Sequence, residues 1–72
     1  MSTTHQQARQ KRTREIIKLL TLDQIKDEFA RQGYDPELMV RNRTLRGVRA
    51  ELYEAIEDVN GFVGFINRNG GM

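Results

Sequence analysis

The stretch TLRGVRAELYEAIEDVNG, residues 44–61, decides the fold class. Leu45, Val48, Leu52, Ala55 or Ile56 and Val59 recur at spacings of three and four, the repeat of one face of an α-helix. Thr44 stands where a side-chain oxygen caps a helix start, and Asn60-Gly61 stands where a helix ends in a left-handed turn. Upstream, Thr21 and Gln24 have the spacing of a capping box, with Leu20 and Ile25 as a hydrophobic staple around it. One helix therefore ends near Leu20. A second runs from Leu22 to Gln32 with Leu22, Ile25 and Phe29 on its buried face, stops at Gly33, and carries an Asp27–Arg31 pair on its surface.

The helix before it starts at Arg9 and sets Arg9, Thr13, Ile16 or Ile17 and Leu20 along one stripe. Residues 1–8, polar and without apolar periodicity, read as a flexible leader that the following helix can still draw in. Asp35-Pro36 is an N-cap and first-turn pair that starts one or two turns through Val40. After Asn60 the chain holds Phe62, Val63, Phe65 and Ile66, too apolar for a free tail. Glycines at 61 and 64 point to an irregular or single-turn segment folded back on the core. The expectation is one all-α domain over residues 9–67 with three main helices, followed by a disordered tail at 68–72. Its thin core invites dimerisation, with exposed parts of Phe62, Phe65 or Ile66 as the interface.

With 72 residues, no cysteine and a single histidine, His5, the chain lacks disulfides and thiolate metal sites. Nor does it hold a thiol nucleophile or a well-placed imidazole base, so neither an enzyme nor a metal or organic cofactor is expected. Glu51, Glu54 and Asp58 share a helical face, but nothing accompanies them to bind a substrate. No apolar run is long enough to span a membrane and no secretory leader is visible, which makes the cytoplasm the expected compartment.

The formal charge of +2 hides a segregated layout. Arg9, Lys11, Arg12, Arg14 and Lys18 face one acid, Glu15, within residues 9–18, and Arg41, Arg43, Arg46 and Arg49 face none within 41–49. Acids gather at Asp23, Asp27 and Glu28 and at Glu51, Glu54, Glu57 and Asp58. The helix after Thr44 thus carries cations at its positive end and anions at its negative end, costing about 0.3–1 kcal/mol per charge. Positions three and four beyond Arg46 and Arg49 offer no carboxylate, so a non-local anion has to compensate them. Either the acids of the second helix do so, or a phosphate does, met by free helix N–H groups and forked guanidinium donors. Tyr34 and Tyr53 have two readings, a base-stacking surface beside the cations or packing with the hydroxyl at the rim.

LTLDQIKDEFARQGYD followed by VRAELYEAI is similar to the helix–extended loop–helix pattern of SAP, LEM-like and Rho-amino-terminal modules. Leu22, Ile25, Phe29 and Gly33 match the first helix, and Arg49, Ala50, Leu52 and Ile56 the second. The resemblance covers roughly residues 20–57 and implies that the loop and second helix contact DNA backbone, casting Arg41, Arg43, Arg46 and Arg49 as phosphate binders. Residues 35–47 are longer than the usual loop, and the acidic end of the second helix lies outside the pattern.

The leading expectation is a small non-enzymatic nucleic-acid-binding accessory or regulatory protein, with DNA before RNA as partner. Arg41, Arg43, Arg46 and Arg49 carry the binding, helped by Lys11, Arg12 and Arg14. The alternative is a modulator of the phage or plasmid type that docks on a larger host protein through Glu51, Glu54, Glu57, Asp58, Phe62 and Phe65.

Overall fold

The computed structural model describes residues 3–70, with side chains from residue 5 onward. Five helices follow one another: α1 (Thr3–Leu19), α2 (Leu22–Arg31), α3 (Pro36–Val40), α4 (Leu45–Asp58) and α5 (Phe62–Asn69). The described residues contain no strand, and the domain is all-α. None of these helices is long and apolar enough to cross a membrane.

Local chemistry sets most of the boundaries. Thr21 Oγ1 accepts the Gln24 N–H at 3.2 Å while Gln24 Oε1 accepts the Thr21 N–H at 2.8 Å, so the capping box opens α2 as the spacing requires. At its other end Gly33, with φ of 88°, closes a Schellman turn: Tyr34 N–H reaches Phe29 O and Gly33 N–H reaches Ala30 O. The apolar contact expected of that motif is present too, as Tyr34 meets the Phe29 ring edge-on at 6.0 Å. Asn60, with φ of 51°, closes α4 in the same way through Gly61 N–H to Ile56 O and Asn60 N–H to Glu57 O. Asp35 caps α3 and Thr44 caps α4, each through a side-chain oxygen.

Helix α4 is the centre of the packing, touching all four other helices, and α1 lies against both α4 and α5. Val48, Leu52, Ala55 and Ile56 of α4 meet Ile16 and Ile17 of α1, Leu20 of the α1–α2 turn, Ile25 and Phe29 of α2, and Phe62, Phe65 and Ile66 of α5 in one core. Each fully buried Leu, Ile or Phe there is worth about 1.5–3 kcal/mol over an exposed one.

Several expectations are corrected. Helix α1 begins at Thr3, not Arg9. Gln6, Gln7, Ala8 and Gln10 are good helix formers with no breaker among them, and residues 5–9 are helical although exposed, so propensity rather than burial extends the helix. The carboxyl-terminal segment is not irregular but a helix, because Phe62, Phe65, Ile66 and Asn69 fall at helical spacing, while Gly61 takes the N-cap position and Gly64 lies on the exposed side. Arg68 and Asn69 are part of that helix rather than of a disordered tail; residues 71–72 of that tail and 1–2 of the leader lie outside the described residues. Phe62, Phe65 and Ile66 are all buried, which removes them as a dimer interface and takes Phe62 and Phe65 out of any partner-binding surface.

Leu22, Leu45 and Val59 are exposed instead of buried, because the first two open their helices beyond the edge of the core and Val59 is the last residue before the α4 turn. The Asp27–Arg31 pair does not form. Arg31 turns toward Glu28, its Nε 4.0 Å from the carboxylate.

Candidate functional site

The arginines expected to act together are divided by the fold. Arg43 precedes α4 and lies along it, its Cβ about 4.0 Å from where a Gly47 Cβ would sit, and its guanidinium pairs with Glu51 at 2.8 Å. Arg49 reaches across to α1 and donates to the Lys18 carbonyl at 3.3 Å, placing a cation on the negative end of that helix. Part of its charge is therefore met by a helix end, not by the acids of α2. Arg12 sits 4.0 Å from Glu15, a long and partly exposed pair, and its other nitrogen lies beside Gly70. Arg41 and Lys11 are exposed, the first in the turn after α3 and the second on the outer face of α1.

Arg46 and Arg14 do come together, and with them Lys18. One groove of about 580 Å³ runs between α1 and α4, lined by Arg14, Ile17, Lys18, Arg46, Arg49, Ala50, Tyr53 and Glu54. Four cations and one carboxylate ring a floor of Ile17, Ala50 and the half-buried Tyr53. The cause is helical phase: Arg14 and Lys18 are four apart on α1, and Arg46, Arg49, Ala50 and Tyr53 are three, four and seven apart on α4. The two helices cross through the buried Ile16, Ile17, Val48 and Leu52, so the polar flank of each faces the other. Among the described residues Arg14, Lys18, Arg46 and Arg49 form no ion pair.

Tyr53 is held from two sides. The Arg14 guanidinium lies 4.6 Å from its ring centroid, and the Phe62 ring is tilted against it at 5.8 Å. Its hydroxyl and Arg49 Nε are shielded from solvent without a hydrogen-bond partner in the protein. Tyr34 is taken up by the turn after α2, packed on Phe29, and does not line the groove.

The acids assigned to a protein interface are divided as well. Glu51 belongs to Arg43, Glu54 stands at the rim of the groove, and Glu57 and Asp58 are exposed at the end of α4.

Two residues escaped the sequence reading, Lys18 as a groove residue and Glu28 as a structural one. Lys18 was legible in principle, because it stands one helical turn beyond Arg14. Glu28 is buried and accepts hydrogen bonds from Arg68 Nη2 at 2.6 Å and Asn69 Nδ2 at 3.0 Å, tying α2 to α5. The hydrogen bond to Glu28 pushes the Arg68 guanidinium above its ordinary basicity.

No family model, curated protein or solved structure matches the chain.

Proposed function

We propose that this protein is a small non-enzymatic nucleic-acid-binding accessory protein that holds phosphates at the groove between α1 and α4. The observation that carries this reading is the gathering of Arg14, Lys18, Arg46 and Arg49 from two helices around one groove, against the single acid Glu54. Like charges gathered around one groove repel, and a fold that keeps them together without an ion pair among the described residues favours an external polyanion. Arg46 sits in the first turn of α4, where free N–H groups add to the positive field. The α2 and α4 helices that resemble a SAP-like pair support the same partner. The assignment shifts from Arg41 and Arg43 toward Arg14 and Arg46, with Lys18 added, because Glu51 already engages Arg43 and Arg41 lies outside the groove lining.

Fluorescence anisotropy against labelled nucleic acid at several salt concentrations tests the proposal. Each phosphate contact adds about 0.7–0.9 to the slope of log affinity against log salt. Replacing Arg46 by Glu should lower that slope by about one contact and weaken binding to every sequence alike. Affinity and slope unchanged in Arg46→Glu would overturn the assignment.

A further inference from the structure

We infer that the ligand of the α1/α4 groove is single-stranded nucleic acid, gripped by a base on the groove floor with its flanking phosphates on the rim; this rests on the nucleic-acid reading above. A duplex presents a convex cylinder with its phosphates outside and its bases stacked within, so it is met by a protruding helix or ribbon. Here the cations ring a concavity instead. The groove is open to solvent, and its volume of about 580 Å³ leaves room for a base and its sugar.

The floor makes the second argument. Phosphate alone has no use for Ile17, Ala50 and Tyr53, whereas a base has an apolar π-face that needs such a surface. Single-strand sites combine a cationic groove with an aromatic platform, and an arginine plane serves as a platform too. Tyr53 and Arg14 provide both in one stack, with the guanidinium 4.6 Å from the ring centroid. Arg14 is exposed, so the contact that keeps it on the ring is of the weaker, solvated kind and gives way to an entering base. Lys18 and Arg46 are then left at the rim for the phosphates on either side, while Arg49 stays on the Lys18 carbonyl and holds the helices at this spacing.

The chain has two tyrosines, Tyr53 in the groove and Tyr34 packed against Phe29, so 19F NMR of protein labelled with 3-fluorotyrosine reports the groove with an internal control. The probes are an oligothymidylate of about ten nucleotides, a mixed-sequence duplex and poly-glutamate. Expected is a shift of the Tyr53 resonance with Tyr34 unmoved on adding oligothymidylate, and affinity at least about tenfold above that for the duplex. Tyr53→Leu, with its fold checked by thermal melting, should lose about 5- to 150-fold in single-strand affinity. Duplex binding as tight as single-strand binding, with Tyr53 unmoved, overturns the inference and leaves the phosphate surface standing. Poly-glutamate binding as tightly as oligothymidylate also overturns it, because charge then suffices without a base. If neither nucleic acid binds at low salt, the proposed function falls with it.

Discussion

The groove between α1 and α4 and the clasp between α2 and α5 are both built on arginine, and they settle its charge in opposite ways. In the clasp the carboxylate of Glu28 is buried, with its side chain 5% exposed, and meets Arg68 and Asn69 directly, with Arg31 at longer range. An unpaired carboxylate at that depth would be costly, so the pairing ties α2 to α5 and satisfies the buried charge from within the protein. In the groove Arg14, Lys18 and Arg46 are exposed and Arg49 is half-buried, with one acid among them and no ion pair among the described residues to settle their charge. The first arrangement is what folding needs. The second makes sense when the missing anion arrives from outside.

Reversing the groove charges tests this contrast most severely. Lys18→Glu combined with Arg46→Glu should reduce nucleic-acid affinity on the order of 100-fold, measured by anisotropy at moderate salt. The melting temperature should change little, because an acid in the first turn of α4 suits the helix field while an acid in the last turn of α1 opposes it. A large drop in melting temperature would mean that the groove cations also support the fold.

Cutting the clasp should do the converse. Arg68→Ala leaves Glu28 buried with a weakened set of donors and should cost about 2 kcal/mol, a fall in melting temperature on the order of 10 °C for a domain of this size. Groove affinity measured well below the transition should not change. Affinity falling in step with stability would show that the two regions are one cooperative unit.

A third variant sharpens the comparison beneath the groove, on the buried side of α1. Thr13 is fully buried and its hydroxyl has no hydrogen-bond partner within the protein. Thr13→Val keeps the shape and removes the orphaned polar atom, so urea denaturation should show a gain of about 1 kcal/mol with binding intact. A loss of stability would reveal a partner for that hydroxyl.

The smallest effect belongs to the pair that resembles both regions. Arg43 and Glu51 are more than a third exposed, so Arg43→Ala should change stability by less than about 0.5 kcal/mol. Its effect on affinity should be less than about twofold, well below that of Arg46→Glu. An effect equal to that of Arg46→Glu would return Arg43 to the binding surface.

Much of the fold was readable along the chain, and the reasons differ by element. The period of α4 and the Thr21–Gln24 box needed only residues within a turn or two of each other. The carboxyl-terminal helix was harder, because Gly61 and Gly64 argue for a loop when propensity is weighed alone. Gly61 falls at the N-cap, where glycine is accepted, and burial of Phe62, Phe65 and Ile66 in the core outweighs the cost of about 0.5–1 kcal/mol for Gly64 inside the helix. Three of the four groove cations, Arg14, Arg46 and Arg49, were among the residues the charge pattern singled out, and Lys18 was not. Arg14 and Arg46 stood out by charge, but nothing local distinguished them from Arg12 and Arg43, which the fold sends elsewhere.

The sequence by itself therefore determined where the central helices start and stop, at Thr21, Gly33, Thr44 and Asn60. A helix end is decided by hydrogen-bond groups that lie within one turn of it. Only the tertiary structure decided which arginines are spent and which are free. Arg68 finds Glu28 across 40 residues and Arg49 finds the Lys18 carbonyl across 31, while Arg14 and Arg46 are brought to one groove without an ion-pair partner among the described residues. Pairing depends on distance in space, and helix packing sets that distance through apolar side chains that carry no charge of their own.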